Sequence, residues 1–229
     1  MELHSDSQEP GEIISVFPLP TSVFYPNTQL PLHIFEPRYR QMVSDALKGN
    51  RKIGMVLLKP GWEANYYESP AIVPVGCVGT IEQHVELPEG KYNISLRGLS
   101  RFKIVKEIGG KPYRQAEISL LKEINDQNLD DEIFKHHDLI NTCNEFLSLL
   151  PEKNKLKDDL KMESFKKMSH LVDEIANQLD LQVEKKQDFL EQQDVTKRAE
   201  IIRSELKLKI GLINLSRVQM EKGIDINMN

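Results

Sequence analysis

The sequence predicts an α+β fold: a small antiparallel β-barrel with one helix, followed by a C-terminal four-helix bundle. Three observations give that order. Residues 1 to 121 hold 11 of the 12 prolines and 10 of the 12 glycines, and residues 122 to 229 keep only Pro151, Gly211 and Gly223. A turn-rich half therefore precedes a half nearly free of chain breakers. The first half is cut into short runs rich in Val and Ile, whereas the second repeats apolar residues at helical spacing. The divisions that follow are a flexible N-terminus over 1–12, a β-subdomain over 13–121, a helical subdomain over 122–223 and a tail over 224–229.

Seven runs read as strands: Ile13 to Pro18, Leu30 to Ile34, Ile53 to Leu58, Val73 to Val85, Tyr92 to Leu96, Phe102 to Glu107 and Tyr113 to Leu121. Pro88, Glu89 and Gly90 make a hairpin turn between two of them, and Gly109 with Gly110 makes another. Short strands in regular succession point to an antiparallel barrel. One helix interrupts them. Pro37 suits a first helical position, Tyr39, Met42, Val43, Ala46 and Leu47 keep one apolar face, and Gly49 stops the run.

In the second half, Ile133, Ile140, Cys143, Phe146, Leu147 and Leu150 share a helical face until Pro151 ends the run. Phe165, Met168, Leu171, Val172, Ile175 and Leu179 mark a second helix. A third, shorter helix covers about Gln182 to Gln193. Asp194 is the N-cap of a fourth that runs to Gly223, with Ala199, Ile202, Leu206, Ile210 and Ile213 inward.

Composition narrows the function classes. A net charge of −5 offers no general attraction to a phosphate backbone or an anionic membrane. No run approaches the roughly 18 apolar residues of a membrane span, and the first residues carry no basic-then-apolar leader; a cytoplasmic protein is expected. Cys77 and Cys143 stand 66 positions apart and read as buried small apolar residues rather than a disulfide or metal pair.

Chemistry-bearing motifs are few. There is no GxxxxGK[ST] phosphate loop and no GxSxG elbow, and Lys111 after the Gly109 and Gly110 turn lacks the spacing of a nucleotide loop. His136 and His137 are consecutive, so on a helix they do not share a face and make poor joint ligands. The expectation is a non-enzyme with no cofactor and no metal. The loop from Gly61 to Pro70 holds the only Trp and two of the six Tyr. Trp62, Tyr66 and Tyr67 there read either as polypeptide contacts, since exposed rings give apolar area at low entropic cost, or as a lid over the barrel end. Glu36, Arg38 and Arg40 cluster where a strand meets the helix. They either satisfy the helix start or touch a ligand, and the structural role is preferred; the same holds for Arg97 and Arg101 beside Gly98.

The segment Phe17-Pro18-Leu19, Phe24-Tyr25-Pro26, Pro31-Leu32 and Ile34-Phe35-Glu36-Pro37-Arg38-Tyr39 resembles the substrate-binding domain at the N-terminus of Lon proteases. Pro74-Val75-Gly76, Val78-Gly79, Ile81 and Gly98-Leu99-Ser100-Arg101-Phe102 extend the pattern. Leu181 to Leu206, with Lys186-Gln187, Phe189-Leu190-Glu191, Asp194-Val195 and Arg198, continues it. The resemblance is greatest to standalone members, which lack the ATPase and peptidase domains. It implies a six-stranded, PUA-like barrel and a protein that engages unfolded or exposed polypeptide in a groove between barrel and bundle. It also adds Tyr25 and Phe35 as contact residues. A role in protein quality control follows, as an adaptor working with a separate protease or ATPase. The other reading from the PUA likeness is an RNA-associated module, which lacks a basic and aromatic stripe. A monomer or weak dimer is expected, with the long last helix as the self-association surface.

Overall fold

The computed structural model describes residues 11–66, 68–129, 138–152, 154, 156, 160 and 164–221. The chain divides into two units, Met1–Lys122 with Leu181–Glu191, and Glu123–Asp180 with Gln192–Asn229. The first unit holds six strands, β1 (Glu12–Leu19), β2 (Gln29–Ile34), β3 (Lys52–Leu58), β4 (Ile72–Leu87), β5 (Lys91–Ile108) and β6 (Arg114–Leu120). It also holds helix α1 (Pro37–Lys48). The second unit holds α2 (Asp138–Leu149), α3 (Met168–Gln178) and α5 (Val195–Glu221), while α4 (Val183–Glu191) belongs to the first.

The strands form one sheet in the order β2-β5-β4-β3-β1-β6, and β6 pairs β5 as well as β1. The sheet is mixed, which corrects the expected antiparallel arrangement: β1 and β3 run parallel, with Ser15 opposite Ile53 and Leu19 opposite Leu57. Parallel neighbours need a crossover between them. Here β2 and α1 supply it, because β2 leaves to pair with β5 before the chain returns through α1 to β3.

Six strands replace the seven runs because Tyr92 to Leu96 and Phe102 to Glu107 are both parts of β5. Opposite Val78 and Gly79, the register jumps from Ser100 to Gly98, leaving Leu99 as the extra, exposed residue of a bulge. A bulge bends a strand without ending it. Alternate residues of these strands meet in a core of Ile14, Val16, Val56, Val78, Phe102, Ala116 and Ile118.

Pro37 stands in the first turn of α1, where its missing N–H costs nothing. The helix buries Tyr39, Met42, Val43 and Ala46. It stops at Gly49 with an ordinary negative φ; the left-handed residue is Arg51, at φ 61°, whose N–H donates to Ala46 O at 2.9 Å.

The helices correct the expected bundle of four. Among the described residues, three helices form the second unit, and α4 packs with the sheet, where the Phe189 ring meets Tyr25 and Gln187 reaches Val75 O. In the second unit α2 buries Leu139, Cys143 and Phe146, α3 buries Leu171, Val172 and Ile175, and α5 buries Ile202 and Leu206. Asp194 Oδ1 accepts the N–H of Thr196 at 2.9 Å, the N-cap bond that opens α5. Arg198 is fully buried; its guanidinium pairs with Glu123 at 2.7 Å and approaches buried Asp173 at 3.7 Å. Ile133, His136, His137 and the 224–229 tail lie outside the described residues.

Candidate functional site

The connection from β3 to β4 builds the site. Its base is closed by the Lys59 N–H donating to Ala71 O at 2.8 Å, and Gly61, at φ 85°, turns the chain into a short 3₁₀ turn over Trp62–Asn65. A left-handed φ at that point favours glycine. The turn sets Trp62 edge-on to Tyr66 with centroids 5.6 Å apart. Both rings are half-buried, and each lines a different cleft.

The Trp62 cleft has a volume of about 400 Å³. Its floor is apolar, made by Leu57, Leu58, Val73, Pro20, Pro60 and the indole, and its far wall is α4, presenting Val183, Glu184, Gln187, Asp188 and Glu191. Glu63 adds a further carboxylate from the turn. The rim is thus acidic around an apolar base.

Contacts from Tyr25, Arg101 and Val75 hold α4 in the first unit. Tyr25 donates its hydroxyl to Lys186 O at 2.9 Å, and its ring meets Phe189 edge-on at 5.4 Å. Arg101 Nε donates to Leu190 O at 2.9 Å, placing a cation at the C-terminal end of α4, where the helix dipole favours it. Gln187 Nε2 donates to Val75 O at 3.1 Å and to Glu191 Oε1 at 3.0 Å. Tyr25 and Arg101 are 0% and 1% exposed, so both act from inside the molecule. Gly98 permits the close approach of the Tyr25–Asn27 turn: a Cβ there would lie 2.1 Å from Tyr25 O. Its N–H donates to Thr28 O, and its carbonyl accepts from Asn27 N.

The second cleft, about 360 Å³, is polar. Arg38 Nε donates to Glu36 Oε2 at 3.0 Å, Tyr66 donates its hydroxyl to Glu36 Oε1 at 2.7 Å, and the Arg38 guanidinium lies 4.6 Å from the centroid of Tyr39. The strand-to-helix cluster and the aromatic turn are thereby joined through one carboxylate. Across the cleft, Tyr113 donates its hydroxyl to Asp45 at 2.7 Å and Lys111 bonds the same oxygen at 3.0 Å. These two donors hold the Asp45 carboxyl below the usual range. Burial, with Asp45 beside it, pushes the Tyr113 phenol up to about 12; burial also raises Tyr39 to about 12, and burial with the Glu36 bond raises Tyr66. Each cation here has its carboxylate, since Arg114 also approaches Glu107 at 3.6 Å.

Phe35 stands apart from both clefts. It is 58% exposed and stacks on His33 at 6.0 Å, and His33 Nδ1 lies 2.7 Å from Asn93 Oδ1. Tyr67 lies outside the described residues. The structure thus brings Trp62 and Tyr66 together, puts Tyr25 in the interior and leaves Phe35 on the surface. The acidic wall was not singled out in the sequence, though Glu184, Asp188 and Glu191 recur at the spacing of a single helix face. Among the described residues no group of three or more His, Cys, Asp or Glu is placed to hold a metal ion. Nor is any described helix long and apolar enough to cross a membrane.

Comparison with known proteins returns one family model, the ATP-dependent protease La (LON) substrate-binding domain, over residues 13–207. The chain is 29% identical over 210 residues to a Lon protease of Anaeromyxobacter dehalogenans (strain 2CP-C), covering 89% of this chain and 24% of that protein. It is 28% identical over 209 residues to Lon protease 2 of Myxococcus xanthus, covering 90% and 24%. The chain therefore spans about a quarter of the length of these relatives. Among solved structures, a Lon N-terminal domain protein from Xanthomonas campestris aligns with a TM-score of 0.61 at 21% identity, covering 84% of this chain and 98% of that one. The N-terminal domain of a Mycobacterium avium complex Lon protease aligns at 0.65 and 15% identity, covering 86% and 98%. At these identities the structures show a shared fold.

Proposed function

Since the chain belongs to the Lon substrate-binding domain family, we propose that it binds unfolded or exposed polypeptide segments, and that the Trp62 cleft is where they seat. The observation that carries this reading is the only Trp of the chain standing half-buried over a floor of Leu57, Leu58 and Val73, open on one side. An apolar pocket with an aromatic at its lip gains affinity by removing ring and ligand surface from water, and such anchors dominate peptide interfaces. Tyr66 steadies the indole edge-on while its hydroxyl is held by Glu36. Trp62 is therefore the contact residue and Tyr66 its support. Phe35 is a second, separate surface ring that a longer segment reaches.

Edge-strand pairing adds affinity in this reading, because β2 is paired with β5 and otherwise stands at the end of the sheet. The pairings that run from β5 through β4, β3, β1 and β6 back to β5 support a closed barrel as the scaffold. Within protein quality control the protein holds clients for a separate ATPase or protease, in the cytoplasm. The RNA-associated alternative draws no support from a cleft whose rim is acidic.

The test is fluorescence anisotropy of a labelled, permanently unfolded polypeptide titrated with the protein and with Trp62→Ala. Loss of the indole is expected to weaken binding by about tenfold or more. Unchanged affinity in a variant with native circular dichroism removes the cleft as the binding site.

A further inference from the structure

The α4 wall of the Trp62 cleft carries more information than its apolar floor. Glu184, Asp188 and Glu191 line one stripe of that helix, Glu63 faces it from the turn, and no lysine or arginine lines the cleft. Glu63, Glu184 and Asp188 are exposed and have no ion pair among the described residues. A carboxylate cluster alone is commonly a solvated face, but Gln187 in the same wall is a second and different sign. It is 6% exposed, and both of its amide hydrogens are used, on Val75 O and Glu191 Oε1. Those two acceptors fix which end of the amide is nitrogen. Its Oε1 is consequently a buried acceptor without a hydrogen-bond donor among the described residues. A desolvated acceptor left unpaired carries an energetic cost, and this one belongs to a residue of the acidic wall.

Resting on the reading of this cleft as a polypeptide site, we infer that it selects segments in which a lysine or arginine lies beside an apolar or aromatic residue. The apolar side chain occupies the Leu57, Leu58 and Trp62 floor, and the neighbouring cation lies against Glu184, Asp188 and Glu63. Lysine and arginine suit this arrangement because their methylene stems cover apolar surface while the charged head stays in water. A segment with glutamate or aspartate at the same place meets like charge and is disfavoured; such repulsion discriminates between partners as much as attraction does.

Because Trp62 is the chain's single tryptophan, its emission reports occupancy of this cleft alone, provided the probes contain none. The experiment titrates two peptides of equal length and identical Phe and Leu content, one carrying lysines beside the apolar residues and the other glutamates. The intact protein is compared with the double variant Glu184→Gln, Asp188→Asn. Each rim pair contributes modestly at an exposed site, so the lysine peptide is expected to bind about tenfold more tightly at low salt. The preference should shrink to about twofold in the double variant. It should also shrink in about 1 M salt, where the screening length is near 3 Å. Equal affinity for the two peptides overturns the selectivity while leaving the cleft as a polypeptide site. An unmoved Trp62 emission with both peptides removes the site and the selectivity together.

Discussion

At Gly98 the backbone leaves no room for a side chain. A methyl there would sit 2.1 Å from Tyr25 O and 2.9 Å from Pro26 Cα, both backbone atoms of a turn that is itself bonded to Gly98. Neither can yield without breaking the Asn27-to-Gly98 bond, so Gly98→Ala should cost about 3 kcal/mol or more, at the upper end of overpacking effects. Its urea midpoint checks this, and because Tyr25 holds α4, weaker protection of the α4 amides should accompany the loss. Tyr39 gives a pH prediction. Burial raises its phenol from 10.0 to about 12, so the fold favours the neutral form. The unfolded chain loses that proton first, and stability is full below about pH 10 and falls as pH rises towards about 12. Denaturant unfolding across that range should show the decline, and Tyr39→Phe, which has no proton to lose, should flatten part of it. A variant as steep as the parent would show that other groups set the alkaline limit.

Helix α4 is a nine-residue element, too short to persist alone in water, so its order must come from what it touches. Two buried side chains of the first unit, Tyr25 in the β1–β2 connection and Arg101 on β5, each reach one of its carbonyls, at Lys186 and Leu190. Replacing Arg101 by Ala removes the donor and leaves a void where a fully buried side chain stood. A loss of about 3 kcal/mol is expected, against about 1 kcal/mol for Tyr25→Phe, which keeps the ring on Phe189. Thermal unfolding of the two variants checks the ranking, and equal shifts would mean that Arg101 does not anchor the helix. Elements such as this also mark how far the sequence could be read. Pro37, Asp194 and the Pro88-Glu89-Gly90 turn are local signals, and α1, α5 and the β4–β5 hairpin begin or turn where they stand. The parallel pairing of β1 with β3, the continuity of β5 through Leu99 and the placing of α4 on the sheet depend on partners distant in sequence. No local pattern encodes them. The same division holds at the candidate site, where Trp62 stands out in the sequence, with Tyr66 and Tyr67, as an aromatic of a polar loop. The floor of Leu57 and Val73 and the wall of α4 do not, since they meet only after the chain has folded back.

The chain passes between its two units more than once, leaving the first after Lys122, returning for Leu181–Glu191 and leaving again. A cut near residue 121 is therefore expected not to yield two self-sufficient parts. The first unit without α4 loses the burial of Phe189 and Leu190, each contributing about 1.5–3 kcal/mol. It also removes the Lys186 and Leu190 carbonyls that accept from Tyr25 and Arg101, a further cost for each. Against a typical total of about 5–15 kcal/mol for a domain, this is a large fraction. A fragment of residues 11–122 should accordingly be strongly destabilised or aggregate through its uncovered Leu57 and Leu58 side. The same fragment joined by a flexible linker to residues 181–191 should unfold cooperatively at a higher denaturant concentration. If the two fragments unfold at the same midpoint, α4 is a passenger on the sheet. The Trp62 cleft would then need a wall that the first unit does not itself depend on, whereas a large difference makes the binding wall part of the folding core.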